Sequence, residues 1–87
     1  PEPASLSVEE HTRRHSAYAT ELAAYIKPKG YFISVERYEE GNAYTGLLRA
    51  FERAGLCQIR GTHMQFSCKN GENTAVFQAM IFQKTGV

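Results

Sequence analysis

Two histidines one helical turn apart, His11 and His15, have the spacing that grips a transition metal. On a helix the H-x-x-x-H pattern places both imidazoles on one face. The grip is incomplete, because a metal needs at least one further ligand. The pair also lacks the glutamate of H-E-x-x-H, and the third histidine, His63, is far along the chain on an expected strand. No metal is expected; in the competing reading both histidines cap the polar end of a core stripe or face a partner. Glu36, Glu39 and Glu40 offer a second chemistry, since paired carboxylates do acid–base work when burial splits their pKa values. Glu39 and Glu40 fall in a glycine-containing loop and read as solvated. Glu36 should project from a sheet face between Phe32 and Tyr38, where Arg60 on a neighbouring strand would make an ordinary cross-strand pair. Cys57 and Cys68 lack the basic surroundings of a reactive thiolate, Lys69 beside Cys68 excepted. No catalytic residue is identified.

Positioning any of these groups falls to a chain of 87 residues, enough for one domain. A hydrophobic fraction of 43%, with five Tyr and five Phe, supports a real core. Ten Lys and Arg against nine acids leave a net charge of +1, which gives no electrostatic footprint for nucleic acid or an anionic membrane. The basic residues do not interleave with the aromatics as a base-stacking surface requires. No run of about 18 apolar residues suggests a membrane span, and no signal peptide is evident. The start at Pro1 rather than Met suggests trimming or excision from something longer. In extended chain the two cysteines lie roughly 35 Å apart at about 3.3 Å per residue, too far for a disulfide. Reduced thiols and a cytoplasmic setting are the expectation.

Residues 1–6 read as a flexible lead-in and 7–87 as a single small domain. Ser7-Val8-Glu9-Glu10 fits a capping box. A stripe of Val8, His11, His15, Tyr18, Leu22 and Tyr25, with Ala19 and Ile26 beside it, predicts an amphipathic helix. Pro28 stops that helix, and Gly30 is expected to take a positive-φ turn. Tyr31 to Tyr38 reads as the first strand, with Tyr31, Ile33 and Val35 on one face and Phe32, Ser34, Glu36 and Tyr38 on the other. Asn42 is the expected N-cap of a second helix carrying Tyr44, Leu47, Leu48, Phe51 and Ala54 on one stripe. That helix should close through a left-handed Gly55 with Leu56 packing back. Cys57 to Cys68 predicts a long strand in which Ile59 is out of phase with Met64 and Phe66, a mismatch that a one-residue bulge near Gly61-Thr62 would repair. A loop over Lys69 to Asn73 leads to the last strand, Thr74 to Lys84, which is apolar on both parities and therefore central.

The order α-β-α-β-β, together with three local motifs, resembles the C-terminal half of a class I (Rossmann-like) S-adenosylmethionine-dependent methyltransferase. The first motif is Leu22-Ala23-Ala24-Tyr25-Ile26-Lys27-Pro28-Lys29-Gly30 running into the strand Tyr31 to Glu36. The second is the helix end Phe51-Glu52-Arg53-Ala54-Gly55-Leu56, and the third is the closing hairpin from Cys57 to Lys84. The resemblance spans residues 8 to 84. It lacks the family's glycine-rich cofactor loop, since no G-x-G occurs, and lacks the acidic residue after the second strand of the N-terminal half. It therefore implies a fold rather than an activity. By position, it implies that Arg37, Tyr38, Glu39 and Tyr44 would lie nearest a substrate. It implies no cofactor for the chain alone, and S-adenosylmethionine if an N-terminal half completes it.

The expected architecture is α/β, or α+β in isolation: a three-stranded mixed sheet, last strand central, with two helices on one face. Such a sheet leaves one face and one edge bare, which predicts association with a second copy or a complementary chain. Two functional expectations follow. One is a non-enzymatic assembly module with a methyltransferase-like half-fold. The alternative is a methyltransferase's C-terminal portion, supplying sheet and substrate wall and active only with its N-terminal half.

Overall fold

A computed structural model describes residues 6–86. Six elements follow in order: α1 Val8–Tyr25, β1 Tyr31–Arg37, α2 Gly41–Arg53, β2 Leu56–Gln58, β3 Met64–Asn70 and β4 Asn73–Lys84. Apart from Leu6, the expected lead-in lies outside the described residues. The fold is α+β, and the last strand is central as expected. The sheet, however, has four strands rather than three, because the long second strand is broken into β2 and β3. It is also antiparallel rather than mixed. β1 pairs with one edge of β4, β2 and β3 pair with the other, and every pairing is antiparallel.

The break replaces the expected one-residue bulge with a longer detour. Gln58 sits opposite Phe82 and Met64 opposite Ala79, so residues 59–63 face only residues 80–81. Thr62 holds the detour in place. Its hydroxyl donates to the Ile59 carbonyl at 2.6 Å and accepts from the Ile81 amide at 3.2 Å, replacing a ladder partner. Gly61 turns the chain at φ +78°. The phase slip is real, and Leu56 and Met64 consequently face opposite sides of the sheet.

α1 begins at the predicted capping box. The Ser7 hydroxyl accepts from the Glu10 amide at 3.2 Å, and Glu10 Oε1 accepts from the Ser7 amide at 3.1 Å. Its last turn carries no basic residue. Lys84 supplies the missing cation from β4, donating from Nζ to the Ala23 and Ile26 carbonyls at 2.7 and 2.9 Å. In the following turn the left-handed residue is Lys29 (φ +68°), not Gly30 as expected. Gly30 is needed for space instead, because a Cβ there would lie 2.9 Å from the Lys27 carbonyl oxygen. At α2 the N-cap is Glu40, not Asn42, and it makes no side-chain cap bond. Asn42 reaches away to donate to the Leu6 carbonyl at 3.1 Å. Gly55 ends α2 in the expected left-handed conformation at φ +92°.

Both helices pack on the even-numbered face of β1 and β4. The core joins Ala19 and Ala23 of α1, Leu47, Ala50 and Phe51 of α2, and Leu56, Met80 and Phe82 of the sheet. The rings of Phe51 and Phe82 lie 4.7 Å apart at its centre. α1 is rotated from the stripe the sequence suggests. Tyr25 is 88% exposed, and the buried positions are His11, Thr12, Ala19 and Ala23. Small residues win that face because the two helices approach closely at Gly46. A Cβ on Gly46 would sit 2.4 Å from the His11 Cβ and 2.9 Å from the Thr12 amide nitrogen. Backbone cannot yield there, so Gly46→Ala should cost about 1–3 kcal/mol by forcing the helices apart. Urea unfolding checks this; an unchanged midpoint would contradict so close an approach.

Candidate functional site

The residues expected to carry chemistry gather where β1 ends under the first half of α1. The even side chains of β1 point toward the helices, and Ser34 and Glu36 are the polar ones. The Ser34 hydroxyl donates to Glu36 Oε2 at 2.8 Å. The expected Arg60 partner is not adjacent, because β4 separates β1 from β2. Across the ladder Glu36 is opposite Gln78, which is fully buried. Gln78 Oε1 accepts from His63 Nε2 at 3.1 Å, and the His63 ring lies 5.3 Å from that of Tyr44.

α1 supplies the other wall. His15 Nδ1 and the Tyr18 hydroxyl are 2.8 Å apart, with the rings edge to face. Burial pushes the His15 pKa down, and His11 and Arg14 push the same way, while Glu39 and Glu36 pull against them. Burial raises the Tyr18 phenol well above its usual range, and Glu36 and Glu39 raise it further. Between a phenol that keeps its proton and a neutral imidazole, the tautomer sets the direction: Tyr18 O–H donates to a bare Nδ1, or Nδ1–H donates to the Tyr18 oxygen. The pair is thus a neutral donor–acceptor unit facing two carboxylates. It can hold or relay a proton, or present negative potential to a cationic group.

Three buried polar atoms in this part of the molecule have no hydrogen-bond partner: His11 Nε2, Glu39 Oε1 and Gln78 Nε2. Burying a polar atom unpaired costs stability, and ordered water, an ion or a further group is the usual partner. The two histidines of the H-x-x-x-H pattern do not converge. His11 is buried against α2 at Gly46, whereas His15 is turned to Tyr18. Among the described residues no three His, Cys, Asp or Glu side chains come together as a metal-ligand set.

The four residues expected near a substrate divide between two faces. Glu39 is half-buried at the polar cluster, Tyr38 donates weakly to Glu40 at 3.5 Å, and Tyr44 packs on His63. Arg37 lies on the opposite side of the sheet, its guanidinium 5.8 Å over the Phe77 ring. His15, Tyr18, Ser34 and Gln78 were not singled out together, because they come from three elements and only His15 and Tyr18 share a spacing, one turn apart on α1. The weak signal available was the polar residues Ser34 and Gln78 on otherwise apolar strands. A separate hollow of about 250 Å³ lies at the other end of α2, against Leu48, Leu56 and Cys57. Both cysteines are free and exposed.

The sheet face away from the helices is the larger feature. Tyr31 and Ile33 are each 64% exposed, Met64 61% and Val35 58%. Between them run Phe77, Ala79 and Ile81 of β4, with Phe66 stacked on Phe77 at 6.0 Å. Among the described residues nothing pairs with the outer edge of β1. No family model matches the chain, and no curated protein or solved structure is found similar to it.

The depressed His15 pKa has a sign that can be tested. The unfolded chain binds a proton more readily than the folded one, so this contribution to stability is fully present above the usual 6.5. It is lost as the pH falls from there through the folded midpoint. We expect the His15 ring to titrate below 6.5 by NMR, because its partial burial disfavours the charged form. A midpoint at or above 6.5 would contradict the arrangement.

Proposed function

We propose that this chain is an assembly module, non-enzymatic by itself, which works by joining the β1 edge and the open sheet face beside it to a second protein surface. The observation that carries this reading is the one-sided sheet. Apolar side chains on β1, β3 and β4 stay exposed on the face that no helix covers. Nine of its outward positions are apolar, and at about 32 Å² each they give an apolar patch of roughly 300 Å². Contiguous apolar patches beyond a few hundred Å² are rare on monomers and mark interaction sites. The edge adds backbone donors and acceptors that an incoming strand would satisfy. The polar cluster at the end of β1 lies beside that edge, so a partner could complete a pocket there and supply groups its unpartnered atoms lack.

A second reading is that the partner surface is the cofactor-binding N-terminal half of an S-adenosylmethionine-dependent methyltransferase, with this chain as sheet and substrate wall. The central antiparallel β4, with both helices on one face, supports it, because the resemblance in sequence implies that arrangement. In this reading the polar cluster belongs to the substrate wall, with Glu39 and Tyr44 in it, and S-adenosylmethionine is bound by the other half. A reading frame upstream that encodes a glycine-rich strand–loop–helix would favour it.

Light scattering behind a sizing column tests the assembly reading. We expect a discrete mass above that of the 9.8 kDa chain. Val35→Lys should return the mass to monomer while the circular dichroism spectrum is retained, since Val35 contributes little to the core. A parent chain that stays monomeric and binds no complementary half would overturn the reading.

A further inference from the structure

We propose that the partner is a second copy of this chain, joined by antiparallel pairing of β1 with β1 in a register centred on Ser34. The inference rests on the assembly reading and adds to its edge contact the occupant and the geometry; the open apolar face runs on across the joined sheets and is not covered by this pairing.

The argument starts from which backbone groups are free. The Tyr38 amide donates to the Val76 carbonyl at 2.9 Å, and the Lys84 amide donates to the Gly30 carbonyl at 2.9 Å. Both bonds join even-numbered residues of the β1 segment to β4. Pairing alternates along an antiparallel ladder, so the even residues spend their N–H and C=O groups on β4. The odd residues Tyr31, Ile33, Val35 and Arg37 aim theirs at the open edge. That edge is lightly protected: β1 contains no proline, no lysine and no bulge, and its charges are confined to one end, Glu36 inward and Arg37 outward.

An antiparallel partner must therefore set odd residues opposite odd residues. Centring on Ser34 pairs the whole strand, with Tyr31 opposite the partner's Arg37 and Ile33 opposite the partner's Val35. Each of these pairs exchanges both backbone hydrogen bonds. On the open face the side chains are complementary: two β-branched residues meet at the middle, and a guanidinium meets a phenol ring at each end. Sliding by two residues in one direction leaves Arg37 unpaired, and in the other leaves Tyr31 unpaired. Either slide gives up the cation–aromatic contacts and sets Ile33 or Val35 against its own copy. The two Arg37 charges lie at opposite ends of the joined strands, roughly 20 Å apart, so the self-pairing meets no like-charge clash.

The test uses the full chain with Cys57→Ser and Cys68→Ser, which removes two exposed free thiols. Ile33→Cys and Val35→Cys versions are mixed and oxidised. Paired residues sit about 5.5 Å apart, within disulfide range, so the mixed disulfide should exceed either self-linked product by about tenfold. Hydrogen exchange on the parent chain gives a readout free of substitution. The amides of Tyr31, Ile33, Val35 and Arg37 should exchange at least about tenfold more slowly in the assembled state than after dilution. An oligomer without mixed-disulfide preference and with unprotected odd amides overturns this register while leaving the assembly reading in place. Protection with preferred self-linking at position 33 or 35 overturns it in favour of a slid register. A chain that stays monomeric and binds nothing overturns both.

Discussion

β4 is the constraint on which the rest of this structure depends. β1, β2 and β3 each pair with it, and no two of them pair with each other. Its twelve residues run the length of the sheet, one edge taken by β1 and the other shared by β2 and β3. Its even side chains reach inward, and Met80 and Phe82 meet Phe51 and Leu56 in the core. Its last residue also fastens α1, since the Lys84 ammonium fills the carbonyl end that the helix leaves uncapped. Local contacts cannot assemble such a sheet. The pairing of Tyr31 with Gln83 closes a long loop before it gains anything, so β4 must arrive before the first strand has a partner.

From that centre follows the asymmetry of the molecule. Two helices cover one side of the sheet, and their own contact is set by Gly46 and the alanines of α1, which draw them close over Phe51 and Phe82. The opposite side receives no layer at all. A half-exposed antiparallel sheet is ordinary when its outer residues are polar. Here Tyr31, Ile33, Val35, Met64 and Phe66 form an apolar stretch, with Arg37, Cys68 and Asn70 at the ends of the same strands. Such a face suits covering better than it suits water.

How much of this was legible in the sequence depended on whether a signal was local. The Ser7–Glu10 capping box, the left-handed Gly55 and the centrality of β4 could all be read, because each follows from neighbouring residues or from one strand's pattern. The α1 stripe misled because Tyr25 and Tyr18 count as apolar in a periodicity argument. The close approach at Gly46, invisible until the helices meet, gives the buried positions to Thr12, Ala19 and Ala23 instead. The phase slip between Ile59 and Met64 was legible, but its size was not, since a threonine hydroxyl standing in for a ladder partner lets the chain wander further than a simple bulge. In the site, Glu39 and Tyr44 could be placed by position along the chain. The His15–Tyr18 pair was implied by their i, i+3 spacing on the α1 stripe but not singled out as polar, whereas the Glu36–Gln78 pairing could not be read because it exists only through register.

The seven residues of β1 carry three kinds of interaction at once, and this links the polar cluster to the bare edge. Its even side chains, Ser34 and Glu36, form the floor beneath His15 and Tyr18. Its odd side chains form the exposed apolar row, and its odd backbone groups form the edge. A strand bonded on one side only is held by a single ladder, which for β1 runs on to the Tyr38 amide and the Val76 carbonyl at 2.9 Å. Pairing on the second side would fix that end and with it the height of Glu36 against Gln78 and the setting of Glu39 behind it. In the proposed assembly, association and the setting of the polar cluster are coupled, because the same backbone that a neighbour would grip carries the Glu36 carboxylate.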